Sequence, residues 1–310
     1  TLENNGIKGI GECSIIPDLS ADYISNEAYE EDLRILCDGI NAGSIHANNW
    51  SELYRGQSSL LFGLECAYLD LLNGGKQVYF DNAFARGEQQ IPINGLIWMG
   101  DEAFMAEQIE EKLKAGFSTI KMKIGAIDWQ AEHQLLKSIR ARFTADQITL
   151  RVDANGGFTP ETAPALLHQL ADLSIHSIEQ PIKQNQWASM TELCRKTTCP
   201  IALDEELIGV NDYQRKIELL ETIRPQYIIL KPSLHGGIQG CKEWISLAEA
   251  RNIPWWMTSA LESNVGLKAI CEFTAEYNNP LPQGLGTGGL YETNYPSHLT
   301  VRDGHILWNI

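Results

Sequence analysis

The chain has 310 residues, 44 % hydrophobic and 21 % charged, which is enough apolar material for a large core and rules out a wholly disordered chain. Its formal net charge of −16 argues against nucleic acid and anionic membranes as partners, since the excess negative charge repels a polyanion. An anionic small molecule would need a site of locally positive charge inside this acidic protein.

The seven cysteines are irregularly spaced and form no CxxC, so a disulfide framework or zinc site is not expected, and a reducing cytoplasm fits best. The most apolar stretch, Ser59 to Leu72, is interrupted by Glu65 and Asp70 and reads as a core helix, not a membrane span. The chain opens at Thr1 inside what reads as a strand, so residues before it are expected; those given carry no signal-peptide pattern.

Residues 1–16 alternate weakly and end in Gly9-Ile10-Gly11-Glu12, which predicts an edge hairpin. Glu27 to Ala42 and Ser58 to Leu72 then carry apolar residues at three- and four-residue steps and predict two amphipathic helices, the second stopped by Gly74-Gly75. From Ile91 short β-branched runs alternate with helical stretches such as Asp101–Ala115 and Thr159–Leu173. Eight strands are predicted: Ile91–Trp98, Thr119–Ile124, Ile148–Asp153, Ile175–Glu179, Pro200–Asp204, Tyr227–Lys231, Ile253–Thr258 and a weaker one at Leu281–Leu285. This alternation predicts an α/β fold, a TIM-type (β/α) barrel over 91–285 after a small α+β unit over 1–90, to which the tail from about 286 to 310 returns. A doubly wound open sheet is the competing architecture, but no glycine fingerprint follows the first strand.

Lys121-Met122-Lys123, Asp153-Ala154-Asn155, Glu179-Gln180-Pro181, Asp204-Glu205-Glu206 and Lys231-Pro232-Ser233 end successive predicted strands, at intervals of 25 to 30 residues from Lys123 to Lys231. Each interval is one βα repeat, so these groups share the C-terminal mouth of the barrel, the face that carries active sites in this fold. Three carboxylates brought together repel one another, and a hard divalent cation relieves the repulsion. An all-oxygen set selects Mg²⁺, with Mn²⁺ as a substitute. Capping of the following helices would explain one such acid, but not three in consecutive repeats. Residues i and i+2 share a strand face, so Lys121 and Lys123 both point into the mouth, with Lys231 opposite. A lysine acting as base must be neutral, which neighbouring positive charge favours. The chemistry that follows is proton abstraction next to a carboxylate. Asn155 is expected to face the same mouth, and Glu205 to face away.

With these residues the chain resembles the enolase superfamily, in its muconate-lactonising-enzyme-like subgroup. Longer stretches, Pro92-Ile93-Asn94-Gly95-Leu96-Ile97-Trp98-Met99-Gly100, Thr258-Ser259-Ala260-Leu261-Glu262-Ser263-Asn264 and Gln283-Gly284-Leu285-Gly286-Thr287-Gly288, resemble its o-succinylbenzoate synthase family. The resemblance implies a modified barrel with an α+β capping domain. It also implies a Mg²⁺-dependent dehydration of a succinyl-hydroxycyclohexadiene carboxylate in menaquinone synthesis. By the same implication Asp153, Glu179 and Asp204 are metal ligands, Lys123 is the base and assists the departing hydroxyl, and Lys231 stabilises the anion. Lys121, Arg151, Asn155 and Glu205 then support the centre, and Ser259 and Gly288 hold the succinyl tail.

Gly284-Leu285-Gly286-Thr287-Gly288-Gly289 lacks a phosphate-loop lysine and reads as a substrate-contacting turn. His235 reads as loop structure, and Trp98, Trp255 and Trp256 read as barrel packing. Two rival functions remain open on the sequence: N-succinylamino-acid racemisation or dipeptide epimerisation, for which two opposed lysines also serve, and a non-catalytic binding barrel.

Overall fold

The computed structural model describes residues 1–125, 127–287 and 291–309. The chain begins with an antiparallel hairpin, β1 (Leu2–Asn4) and β2 (Ile7–Gly9). It crosses helix α3 (Ser58–Leu72) in backbone contact: a Cβ at Gly9 would lie 1.9 Å from the Ala67 carbonyl oxygen, and one at Gly11 1.8 Å from that of Gly63. Helix α1 (Asn26–Asn41) starts at Ser25, whose hydroxyl accepts from the Ala28 amide, as an N-cap should. With the short α2 (Trp50–Leu53), α1 and α3 bury Tyr29, Leu36, Trp50, Leu61 and Leu64 in a small core of their own.

The first predicted barrel strand is two strands. β3 (Gln90–Pro92) pairs antiparallel with β12 (His305–Trp308), itself paired with β11 (Leu299–Arg302), so the C-terminal tail returns onto the segment that enters the barrel. At Ile93 and Asn94 the chain changes partners, and β4 (Gly95–Ile97) opens the barrel sheet. Among the described residues that sheet holds seven parallel strands in the order β4, β5 (Thr119–Lys123), β6 (Thr149–Asp153), β7 (Ser177–Glu179), β8 (Ile201–Leu203), β9 (Tyr227–Leu230) and β10 (Trp255–Met257). The predicted eighth strand is reduced to two bridging residues. Gln283 bridges to Ile93 and Gly284 to Thr258, which joins β4 to β10 and curls the sheet round. Pro280 and Pro282 deprive this segment of two amide donors, so a longer ladder cannot form there.

Helices α4 (Glu102–Lys114), α5 (Trp129–Arg142), α6 (Ala163–Asp172), α7 (Trp187–Lys196), α8 (Tyr213–Ile223), α9 (Gly237–Glu249) and α10 (Asn264–Ala275) follow the strands in turn. Asp101, Asp128 and Asp212 cap α4, α5 and α8 by accepting from backbone amides of the first turn. The α9 N-terminus begins at Gly236 and has no side-chain cap of its own. Instead Glu65 of α3 accepts from the Ile238 and Gln239 amides, and Ser58 accepts from the Gly236 amide, which ties the N-terminal helices to the barrel. Among the described residues no helix is long and apolar enough to cross a membrane.

Candidate active site

Strand register decides which side chains reach the mouth. Lys123 pairs with Asp153 and Asp153 with Glu179, so these three stand in one row on the inner face. Glu179 pairs with Ala202, so Asp204, two residues on, also points inward and one step higher. The same count through Tyr227 and Ile229 brings Lys231 inward, and through Lys121 and Leu96 it brings Asn94 and Trp98 to the same side. Below this layer Ala202, Ile229 and Trp256 fill the barrel with a buried apolar cluster.

The charged groups are closely interlocked. The Lys121 ammonium lies 2.9 Å from Asp153 and 2.5 Å from Glu179. Lys231 is paired with Asp204, both buried. Lys123 donates to Asn155 Oδ1 at 2.6 Å and lies 3.4 Å from Asp153, and its ammonium sits 5.8 Å from the centre of the Trp98 ring. Asn155 in turn donates to Glu205 at 2.9 Å. Burial alone would lower the ammonium of Lys121 and that of Lys231. The facing carboxylates outweigh burial and hold both above the ordinary lysine value. Burial, then Asp153 beside it, pushes Glu179 up to about 8. Glu179 Oε1, Asp204 Oδ1 and Glu205 Oε2 are buried with no hydrogen-bond donor.

Lys121, Lys123, Asp153, Asn155, Glu205 and Lys231 line a cavity of about 240 Å³ whose remaining wall is Ile16, Leu19, Asn94, Leu96, Trp98, Thr258 to Leu261, Gly284, Gly286 and Thr287. A larger hollow of about 610 Å³ lies outside, between α6 and α7, away from the strand ends.

The structure thus gathers Lys121, Lys123, Asp153, Asn155, Glu205, Lys231 and Ser259 at one cavity, with Glu179 and Asp204 directly beneath through their ion pairs. Glu205, expected to face away, lines the cavity. β8 ends at Leu203, and Glu205–Leu207 form a 3₁₀ turn in which strand alternation no longer holds. Arg151 stands one layer below Asp153, stacked 4.0 Å from the centre of the Trp256 ring and donating to the Pro282 carbonyl at 2.7 Å. Gly288 lies outside the described residues. His235 is fully buried and accepts from the Lys231 amide at 2.9 Å, a loop-fixing contact. Trp98, read from sequence as packing, is a wall of the cavity; alternation from Lys121 through its partner Leu96 was the signal that could have found it. A hydroxyl relay was also missed: Thr287 donates to Ser259 at 2.8 Å, and Ser259 donates to the buried Glu262 at 2.6 Å.

Residues 104–308 match the family described as enolase C-terminal domain-like. The chain belongs to that family. This enolase-like chain is 56 % identical over 249 residues to an o-succinylbenzoate synthase of Desulfotalea psychrophila (strain LSv54 / DSM 12343), covering 80 % of the chain and 67 % of the relative. It is 30 % identical over 177 residues to the L-Ala-D/L-Glu epimerase of Bacillus subtilis (strain 168), covering 56 % of the chain and 47 % of that protein. Among solved structures, MenC from Desulfotalea psychrophila LSv54 superposes with a TM-score of 0.88 at 45 % identity, over 99 % of the chain and 92 % of that structure. The muconate lactonizing enzyme of Pseudomonas putida superposes with a TM-score of 0.79 at 22 % identity, over 98 % and 87 %, and shares the fold. The modified barrel expected from sequence is therefore that of the enolase superfamily, and the chain is an enzyme.

Members of this superfamily depend on a divalent metal, and the residues at the mouth fit one. The oxygens available to a metal are all carboxylate, three of them buried without a hydrogen-bond donor among the described residues; Asp153, Glu179 and Asp204 are paired with the ammoniums of Lys121, Lys123 and Lys231, and Glu205 accepts from Asn155. As the side chains stand, no three carboxylates among the described residues enclose a common point, and the Lys121 ammonium takes the place between Asp153 and Glu179.

Proposed function

We propose that this enzyme is a Mg²⁺-dependent lyase that forms o-succinylbenzoate from 2-succinyl-6-hydroxy-2,4-cyclohexadiene-1-carboxylate in menaquinone biosynthesis, by removing the proton next to the carboxylate and expelling water. The observation that carries this reading is the pair Lys123 and Lys231, four strands apart across one small cavity with the acids of β6, β7 and β8 between them. The named activity of the 56 % identical relative supports the choice of substrate.

Asp153, Glu179 and Asp204 are the groups that would hold Mg²⁺, with Mn²⁺ able to replace it. The bound cation supplies positive charge that makes the proton next to the carboxylate more acidic. Lys123, aimed by Asn155, takes that proton in its neutral form. The resulting Lys123 ammonium then returns a proton to the hydroxyl on the neighbouring carbon, which leaves as water while the ring becomes aromatic. Lys231, fixed by Asp204, keeps a full positive charge over the ring and stabilises the anion between the two steps. Leu19, Leu96, Trp98 and Leu261 keep bulk water out. Residues 1–90 with the tail from about 286 act as the capping domain, contributing Ile16 and Leu19 to the cavity wall of the barrel over 91–285. Five of the seven free cysteines are buried, a usage suited to the cytoplasm.

The opposed lysines also favour a second reading, racemisation of N-succinylamino acids. A substrate panel separates the two. Loss of the cyclohexadiene absorbance with Mg²⁺, stopped by chelator, supports the lyase. Turnover of N-succinylamino acids by polarimetry with no loss of diene would replace it.

A further inference from the structure

Asn94 is 5 % exposed, and no hydrogen bond joins its side-chain amide to any described residue; its Oδ1 is closed off from solvent. The closed-off Oδ1 is an acceptor that a ligand does not reach, whereas the Nδ2 protons have no acceptor among the described residues and are free to serve one in the cavity. The Asn94 backbone N–H donates to the Gln283 carbonyl at 2.9 Å, which ties the position to the segment where the ring closes. The side chain lines the same cavity as Lys121, Lys123 and Lys231. It stands on the β4 side of the ring with Thr258, Ser259 and Thr287, away from the carboxylates of β6, β7 and β8. The protons of Ser259 and Thr287 are already committed, to Glu262 and Ser259, which leaves the Asn94 amide with unspent donors on this wall.

In the substrate named above the succinyl chain is on the ring carbon next to the reacting carboxylate, and its four-carbon length lets its oxygens extend from the acid cluster toward this wall. We propose that the Asn94 side-chain amide donates a hydrogen bond to an acceptor oxygen of the succinyl side chain, and so selects substrates that carry such an oxygen. This rests on the lyase reading above. Asn94 is a specificity residue with no part in proton transfer, so its loss acts on binding and leaves the chemical step in place.

The test is calorimetric titration of the Mg²⁺-loaded protein with the product o-succinylbenzoate and with benzoate, which keeps the ring carboxylate and lacks the side chain. Asn94→Ala should weaken o-succinylbenzoate about ten-fold, the worth of one hydrogen bond. Asn94→Asp should weaken it further, because a carboxylate repels an acceptor oxygen. Asn94→Ala should bind benzoate as the wild type does, raise KM with little change in kcat, and melt no lower than the wild type. Equal losses for both ligands, or a lowered melting temperature with o-succinylbenzoate binding intact, would make Asn94 structural and overturn the proposal. A wild type that binds o-succinylbenzoate no better than benzoate would remove the lyase reading itself, and this inference with it.

Discussion

The Lys123 ammonium is held by Asn155 at 2.6 Å, and the Asn155 amide is itself anchored on Glu205 at 2.9 Å. A flexible four-carbon side chain is thereby aimed at one point of the cavity by a residue that does not react. Asn155 has φ of +43°, a left-handed conformation that asparagine tolerates and most residues do not. Asn155→Gly keeps that backbone and removes the contact that aims Lys123, together with the donor to Glu205. Its kcat should fall about ten-fold with KM changed less than three-fold, since misplacement of a reacting group acts on the transition state. A change confined to KM would show that Asn155 serves binding instead.

Metal should stabilise as well as activate. The buried acids are crowded together, and Glu179 in particular resists ionisation where it stands. Millimolar Mg²⁺ should raise the melting temperature of the wild type by several degrees, corresponding to about 3 kcal/mol at a hundred-fold excess over Kd. Glu179→Gln should lose most of that increment, and chelator should abolish it in the wild type. The check is a thermal melt with and without cation. An identical increment in Glu179→Gln would place the metal elsewhere.

The junction between α3 and α9 predicts a pH effect away from the chemistry. Burial raises Glu65 to about 7, against the opposing pull of the Ile238 and Gln239 amides. The folded carboxyl thus keeps its proton to higher pH than the unfolded one. Its contribution to stability is fully present below about 4.5 and is lost as pH rises through about 7. Relative to Glu65→Gln, which does not titrate, the wild type should lose on the order of 1 to 3 kcal/mol between these limits. Parallel chemical denaturation of the two proteins at pH 4.5 and 8 measures it. A constant difference between them would show that Glu65 is already ionised across the range.

Much of the site was legible because strands impose a period of two and βα units a near-constant spacing. The acids and lysines at strand ends could be placed on one face before any coordinates. What escaped lay where those regularities fail. Glu205 follows a strand that ends at Leu203 and turns at once into a 3₁₀ bend, so alternation pointed it the wrong way. The predicted strand at Leu281–Leu285 met Pro280 and Pro282 and shrank to two bridging residues. Ile91–Trp98 divided because Gln90–Pro92 joins the C-terminal hairpin, a partner more than 200 residues away that no local pattern announces. Trp98 and Asn94 were available to alternation but resemble ordinary core residues in composition. Only the unpartnered side chain of Asn94, and the place of both residues on the cavity wall, distinguish them.

The central claim is that Lys123 is the base. The most direct measurement follows ultraviolet loss of the cyclohexadiene carboxylate with Mg²⁺ on wild type and on Lys123→Ala, with circular dichroism to confirm equal folding. Rapid loss is expected with the wild type and a rate at least about a thousand-fold lower in the variant, within the range set by removing a positioned general base. A folded Lys123→Ala protein that turns over within ten-fold of the wild type would contradict it.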